Sequence, residues 1–105
     1  MELDIFWTDF SKKELKKIFD YYKEEVSLNV AKKLVSGITS EVSKLRKHPI
    51  IGQKEELLAK DSRDFRYLIF KNYKIIYWIN SVKNRIEIFD VFDTRQNPIK
   101  IVRSK

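Results

Sequence analysis

Between Phe65 and Pro98 the chain reads FRYLIFKNYKIIYWINSVKNRIEIFDVFDTRQNP. This run leaves little choice of architecture. Phe65, Tyr67 and Ile69 alternate with Arg66, Leu68 and Phe70. Tyr73, Ile75, Tyr77 and Ile79 alternate with Lys74, Ile76 and Trp78. Ile86, Ile88, Asp90 and Phe92 alternate with Glu87, Phe89, Val91 and Asp93. A period of two in β-branched and aromatic residues sends successive side chains to opposite faces of a strand. Lys71-Asn72 makes a tight turn, with Asn72 suited to positive φ, and Asn80 to Asn84 is a polar loop. Three strands joined in this way form an antiparallel meander with apolar residues on both faces. One face needs a helical layer. The other is too aromatic to stand bare in water and calls for a C-terminal segment or a partner.

The upstream half supplies the helical layer. Leu3, Ile5 and Trp7 alternate with Glu2, Asp4 and Phe6, which predicts a half-buried N-terminal strand. Ser11 to Glu14 reads as a capping box, with Phe10 and Leu15 as its hydrophobic staple. Leu15, Ile18, Phe19, Tyr22 and Val26 then recur at three- and four-residue spacing, and Lys12, Lys13, Lys16, Lys17 and Lys23 fall on the other faces. Ser27 is a second N-cap. Ala31, Leu34, Val35, Ile38, Val42 and Leu45 continue a second helix that Arg46, Lys47 and His48 close and Pro49 stops. Gly37 lies inside it, which suits close packing against the first helix or a partner. Two helices so close in sequence form an antiparallel hairpin. Glu55 to Lys60 predicts a short edge strand around Leu57-Leu58. The expected fold class is α+β, as one domain over residues 1–105: an N-terminal strand, an antiparallel helix hairpin, then an antiparallel meander sheet.

Charge is unevenly spread. The net charge is +7, of which residues 1–53 carry +2 and residues 54–105 carry +5. A basic excess on the sheet half suits nucleic acid or an acidic protein partner, and equally a lysine-rich solvated surface. There is no cysteine, so neither disulfides nor thiolate metal sites enter the argument, and a reducing cytoplasm is the expected location. No apolar run has transmembrane length, so no membrane is expected. With two glycines in the chain, no phosphate-cradling glycine loop can form. His48 is the only histidine; it sits where a helix end is capped, and could act as a base only with partners brought from elsewhere. No second histidine or spaced carboxylate cluster accompanies it, so neither metal nor cofactor is expected.

Strand, two helices and meander, together with LRKHPIIG at Leu45–Gly52, YKIIY at Tyr73–Tyr77 and VFDTRQNP at Val91–Pro98, resemble the RelE/ParE superfamily of toxins from bacterial type II toxin–antitoxin systems. The resemblance spans nearly the whole chain. It implies a growth-inhibiting toxin neutralised by a cognate antitoxin, with operator DNA reached only through that antitoxin. It implies one of two targets: DNA gyrase for ParE-like members, or mRNA on the ribosome for RelE-like members, which are metal-independent endoribonucleases.

Metal-free RNA cleavage needs a base for the 2′-hydroxyl, a proton donor for the leaving oxygen and cations for the phosphate. By the resemblance, Arg66, Lys74 and Arg95 match the basic positions of RelE-like enzymes, with lysine at 74 where they carry arginine; lysine lacks the planar fork. Leu68 replaces a strand lysine, and the residues after Arg95 include no tyrosine or histidine. The resemblance is therefore nearer ParE. Arg66, Lys74 and Arg95 are expected to bind target or phosphate, and to be catalytic only in a nuclease, where Tyr67 or His48 would have to move protons. Each also has a structural alternative: Arg66 and Arg95 can hold strand ends through ion pairs with Asp93, Asp90 or Glu87. A non-toxic nucleic-acid-binding domain is the third reading.

Overall fold

A computed structural model describes residues 2–95. In chain order the elements are β1 (Asp4–Trp7), α1 (Asp9–Glu25), α2 (Leu28–Ser43), β2 (Gln53–Lys54), β3 (Arg66–Phe70), β4 (Tyr73–Asn80) and β5 (Arg85–Asp93), with single 3₁₀ turns at Lys44–Arg46 and Glu56–Leu58. The sheet order is β1-β5-β4-β3-β2. The β3-β4-β5 meander is antiparallel, as expected, and β1 adds to β5 in parallel, Ile5 beside Ile86 and Trp7 beside Ile88. The α1–α2 hairpin lies on one face.

Under the helices, Leu34, Ile38, Val42 and Leu45 bury against Tyr73, Ile75, Tyr77, Ile86, Ile88 and Val91, and Leu3, Ile5, Trp7, Leu15, Ile18 and Tyr22 close the margins. The second face carries its own cluster of Leu58, Phe65, Ile76, Phe89 and Phe92, flanked by Tyr67 and Trp78. Part of its cover comes from the loop before β3. Leu58 is buried there, and the Arg63 guanidinium, held by Asp61 at 3.0 and 2.7 Å, stacks on Phe65, Trp78 and Phe89. The C-terminal segment expected on this face, residues 96–105, lies outside the described residues.

Several local expectations change. Strict alternation fails in β5, because a bulge opposite Ile76 and Tyr77 shifts the pairing from Ile76–Asp90 to Tyr77–Ile88. Phe89 is the extra residue. Beyond it the helix-side position passes to Val91 instead of Asp90, and Phe92 moves to the second face. The cap of α1 is Thr8, three residues before Ser11. Its hydroxyl accepts from the Ser11 amide at 3.2 Å and donates to the Ile88 carbonyl at 2.8 Å, tying the helix start to β5. Ser11 is buried inside the first turn, and Glu14 pairs with Lys17 at 3.0 Å. Ser27 does cap α2, accepting from the Val30 amide at 3.1 Å.

Val26, placed on the buried stripe of α1 by spacing, follows the last turn and is exposed. α2 stops at Ser43, so Arg46, Lys47 and His48 lie past its end. Leu57-Leu58 is a 3₁₀ turn, because the Glu55 carboxylate accepts from the Leu57 amide at 3.2 Å and curls the backbone; the edge strand is Gln53–Lys54. In the β3–β4 turn the positive φ falls on Lys71, at 54°, and not on Asn72, whose carbonyl accepts from the Thr94 amide at 2.8 Å. Gly37 packs on β3, not on α1: a Cβ there would sit 2.2 Å from the Phe70 ring. The glycine is what lets α2 settle onto the sheet.

Candidate functional site

The three cations singled out from the sequence do not converge. Arg66 starts β3 on the helix side of the sheet, opposite Tyr77. Its Nε donates to Asp64 at 3.1 Å, and one Nη donates to the Gly52 and Ile50 carbonyls at 3.0 and 3.4 Å. The Tyr77 hydroxyl completes this knot, donating to the Pro49 carbonyl at 2.7 Å and accepting from the Gly52 amide at 3.0 Å. The HPIIG turn is thus strapped beneath the sheet by one arginine and one tyrosine. Burial pushes the Tyr77 phenol above its ordinary range, against the opposing effect of the Gly52 amide.

Lys74 stands on the opposite face, paired across the strands with Ile69 and Phe92. Its ammonium is 2.6 Å from the Glu55 carboxylate and 4.1 Å from the centre of the Tyr67 ring. Glu55 keeps only 3% of its side chain in water and Lys74 keeps 19%. The Tyr67 hydroxyl donates to Gln53 at 3.0 Å. Neither proposed proton carrier therefore stands beside Arg95: Tyr67 sits under Lys74, and His48 is exposed past the end of α2.

Arg95 follows β5 and folds back on its own strand. Nε and Nη2 chelate Asp93, with contacts from 2.6 to 3.1 Å. Of the ion pairs envisaged from the sequence, Arg95 with Asp93 is the one formed; Glu87 is taken by Arg85 at 2.9 Å. The Arg95 guanidinium, with the amides and side-chain donors around it, holds the Asp93 carboxyl well below the usual carboxylate range. A depressed folded-state pKa stabilises the fold above the unfolded value, about 3.9, and the contribution disappears as pH falls further. Asp93→Asn is therefore expected to lower the Tm at pH 7. The gap to wild type should narrow steadily between pH 4 and pH 2 in thermal melts by circular dichroism, and a gap constant across that window would remove Asp93 as the cause.

Beside Arg95 lies an open cleft of about 790 Å³ between α1 and the ends of β4 and β5. Tyr73 and Tyr22 meet in it, hydroxyl to hydroxyl at 3.3 Å, and the exposed Tyr21 ring stands edge-on to Tyr22 at 5.1 Å. Burial, then the Tyr22 hydrogen bond, drives the Tyr73 phenol far above its ordinary range, so it can donate a hydrogen bond but is a poor base. Sequence reasoning passed over this pair, reading Tyr22 as a helix stripe residue and Tyr73 as one of an alternating set. No local signal joins residues 51 positions apart. Glu55 was missed likewise, as the counter-charge of Lys74. Among the described residues no cluster of His, Cys, Asp and Glu could hold a metal ion, and no helix is long and apolar enough to cross a membrane.

Comparison with known proteins fits this architecture. Among solved structures, the chromosomal ParDE system of P. aeruginosa aligns with a TM-score of 0.71 at 18% identity, over 88% of this chain and 96% of that one. The RelBE2 toxin–antitoxin complex of Mycobacterium tuberculosis aligns at 0.63 and 12%, over 89% and 99%, and a mutant of E. coli toxin RelE in the free state at 0.62 and 12%, over 99% and 94%. At such identities the likeness is one of fold. No curated protein matches in sequence. The model of the ParE toxin of the type II toxin–antitoxin system parDE matches residues 5–98. With that match spanning nearly all of its length, the chain belongs to the ParE toxin family of type II toxin–antitoxin systems.

Proposed function

We propose that this chain arrests growth by binding a macromolecular target of the DNA gyrase class, and that a cognate antitoxin neutralises it. The observation that carries the reading is the dispersal of its cations. Arg66 is spent on the HPIIG turn, Lys74 on buried Glu55, and Arg95 on Asp93, on two faces and one end of the sheet. A phosphodiester in flight needs converging donors and a proton-transfer group within about 3 Å. Cations paired internally and turned apart in this way support a chain that acts by binding and not by cleavage, with Arg95 the one of the three left exposed. The absence of tyrosine and histidine after Arg95 in the sequence supports the same reading. The RelBE2 toxin–antitoxin complex and the ParDE system among the structural relatives support a protein partner.

One observation favours the nuclease alternative: Tyr73 and Tyr22 share the cleft with Arg95. In that reading Arg95 steadies phosphate and Tyr73 donates the proton. Purified protein assayed on ribosome-programmed mRNA and on gyrase-dependent supercoiling separates the two. The expected result is inhibited supercoiling with intact mRNA. Cleavage of ribosomal mRNA that is lost in Arg95→Ala and in Tyr73→Phe would replace the gyrase reading with the nuclease one.

A further inference from the structure

The turn that Arg66 and Tyr77 hold carries two side chains that the core does not use. Ile50 and Ile51 are 67% and 57% exposed and belong to neither apolar cluster of the sheet. Their backbone, by contrast, is tied down. The Ile51 amide donates to the His48 carbonyl at 3.2 Å, closing a turn with Pro49 at its second position, where the fixed φ of proline suits. The Pro49 carbonyl accepts from Tyr77, the Ile50 and Gly52 carbonyls accept from Arg66, and the Gly52 amide donates to Tyr77. Single exposed aliphatic residues are ordinary. Two adjacent ones, on a backbone bonded from below along its length, form a fixed apolar knob. Its flank is positive: between Arg46 and Lys54 the sequence holds Arg46, Lys47 and Lys54 and no acid. Arg46 pairs with Glu2 at 3.3 Å and Lys54 reaches Asp64 at 4.0 Å. Lys47 is exposed and, among the described residues, has no carboxylate partner.

We propose that Ile50 and Ile51 anchor the chain to its protein target, seating in an apolar socket of the target that has acidic groups at its rim. The inference rests on the toxin reading above and names the surface which that reading requires. A turn already held in one shape loses little conformational entropy on docking, and both side chains are β-branched, with few rotamers to give up. Lys47 sets the charge of the partner, because it stands beside the knob without an acid of its own. A nucleic-acid backbone would satisfy Lys47 and leave both isoleucines in water. A second copy would bring the same acid-free flank against the first, and each chain carries +7. Arg66 and Tyr77 act from beneath and belong to the fold; the two isoleucines belong to the surface.

Ile50→Ser/Ile51→Ser separates the two roles. At such exposed positions the double variant should keep a Tm within about 4 °C of wild type by circular dichroism. Titrated into a supercoiling assay with purified DNA gyrase, it should need about tenfold more protein than wild type for half inhibition. Lys47→Glu should weaken inhibition at low salt, and the difference from wild type should fade as salt rises. A larger fall in Tm shows that the isoleucines serve the fold, and overturns the proposal. Inhibition by the folded double variant at wild-type concentrations also overturns it, and leaves the gyrase reading standing; lost capture of the cognate antitoxin beside that intact inhibition gives the pair to the antitoxin. A wild-type dimer in sedimentation that the double variant dissolves gives the pair to a second copy and overturns the proposal too. Lys47→Glu inhibition equal to wild type at every salt concentration removes the acidic rim. If wild type leaves gyrase unaffected, the gyrase reading fails and induced expression decides the turn. Arrest by wild type and none by the double variant, at equal soluble protein, upholds the anchor for another target. Arrest by both overturns it, and arrest by neither overturns both readings.

Discussion

Lys74→Met should destabilise the protein by about 3 kcal/mol. The substitution removes the cation from a pair whose acid, Glu55, is almost fully buried. Breaking a buried pair from one side costs about 3–5 kcal/mol, because the remaining charge keeps its desolvation penalty and loses its compensation. The lower end applies here, since Lys74 retains about a fifth of its side chain in water. The contact is short but out of line for a hydrogen bond, so the ammonium contributes chiefly through charge and through its place over the Tyr67 ring. Removing both charges in Lys74→Met/Glu55→Gln should recover most of the loss. Urea denaturation of wild type, both single variants and the double variant closes the cycle. A single variant as stable as wild type would show that Glu55 reaches water, and would return Lys74 to the candidate surface cations.

Gly52→Ala should cost a similar amount, about 3 kcal/mol, for a different reason. A Cβ at position 52 would lie 2.6 Å from the Tyr77 hydroxyl and 2.7 Å from the Tyr67 carbonyl. One neighbour is sheet backbone and the other is a buried ring with its hydroxyl bonded on two sides, so neither yields easily. Overpacking of this kind costs about 1–3 kcal/mol. Displacing Tyr77 adds the loss of its bonds to Pro49 and Gly52, about 1–3 kcal/mol where a buried group is left unsatisfied. The result bears on function through Arg66, which donates to the Gly52 carbonyl. If Arg66 serves the turn, Arg66→Ala and Gly52→Ala should both lower the Tm and should lower toxicity only in proportion to the folded protein remaining. An Arg66→Ala variant with an unchanged Tm and no activity would give the arginine back to the target surface.

Much of the fold was legible because periodicity is local. The alternation over 65–93 and the helical spacing over 15–45 each depend on neighbours a few residues apart, and they placed the meander and the hairpin. The corrections fall where a distant group decides a local matter. Thr8 became the helix cap because β5 offered its hydroxyl the Ile88 carbonyl. The bulge at Phe89 broke the alternation of β5 and put Phe92 on the second face, beside Lys74. Leu57-Leu58 turned instead of extending, because Glu55 bonds the Leu57 amide while also pairing with Lys74.

By itself the sequence determined the α+β layering, the basic excess on the sheet half, and three arginine and lysine positions worth attention. Those are properties of composition and short-range order. Only the tertiary structure decided what the three cations face. Strand register put Arg66 and Lys74 on opposite sides of one sheet, and each then met an acid or a carbonyl from a loop remote in sequence. A charge's role depends on its nearest counter-charge and on the water left around it, and both are set by packing, which the order of residues along the chain does not display.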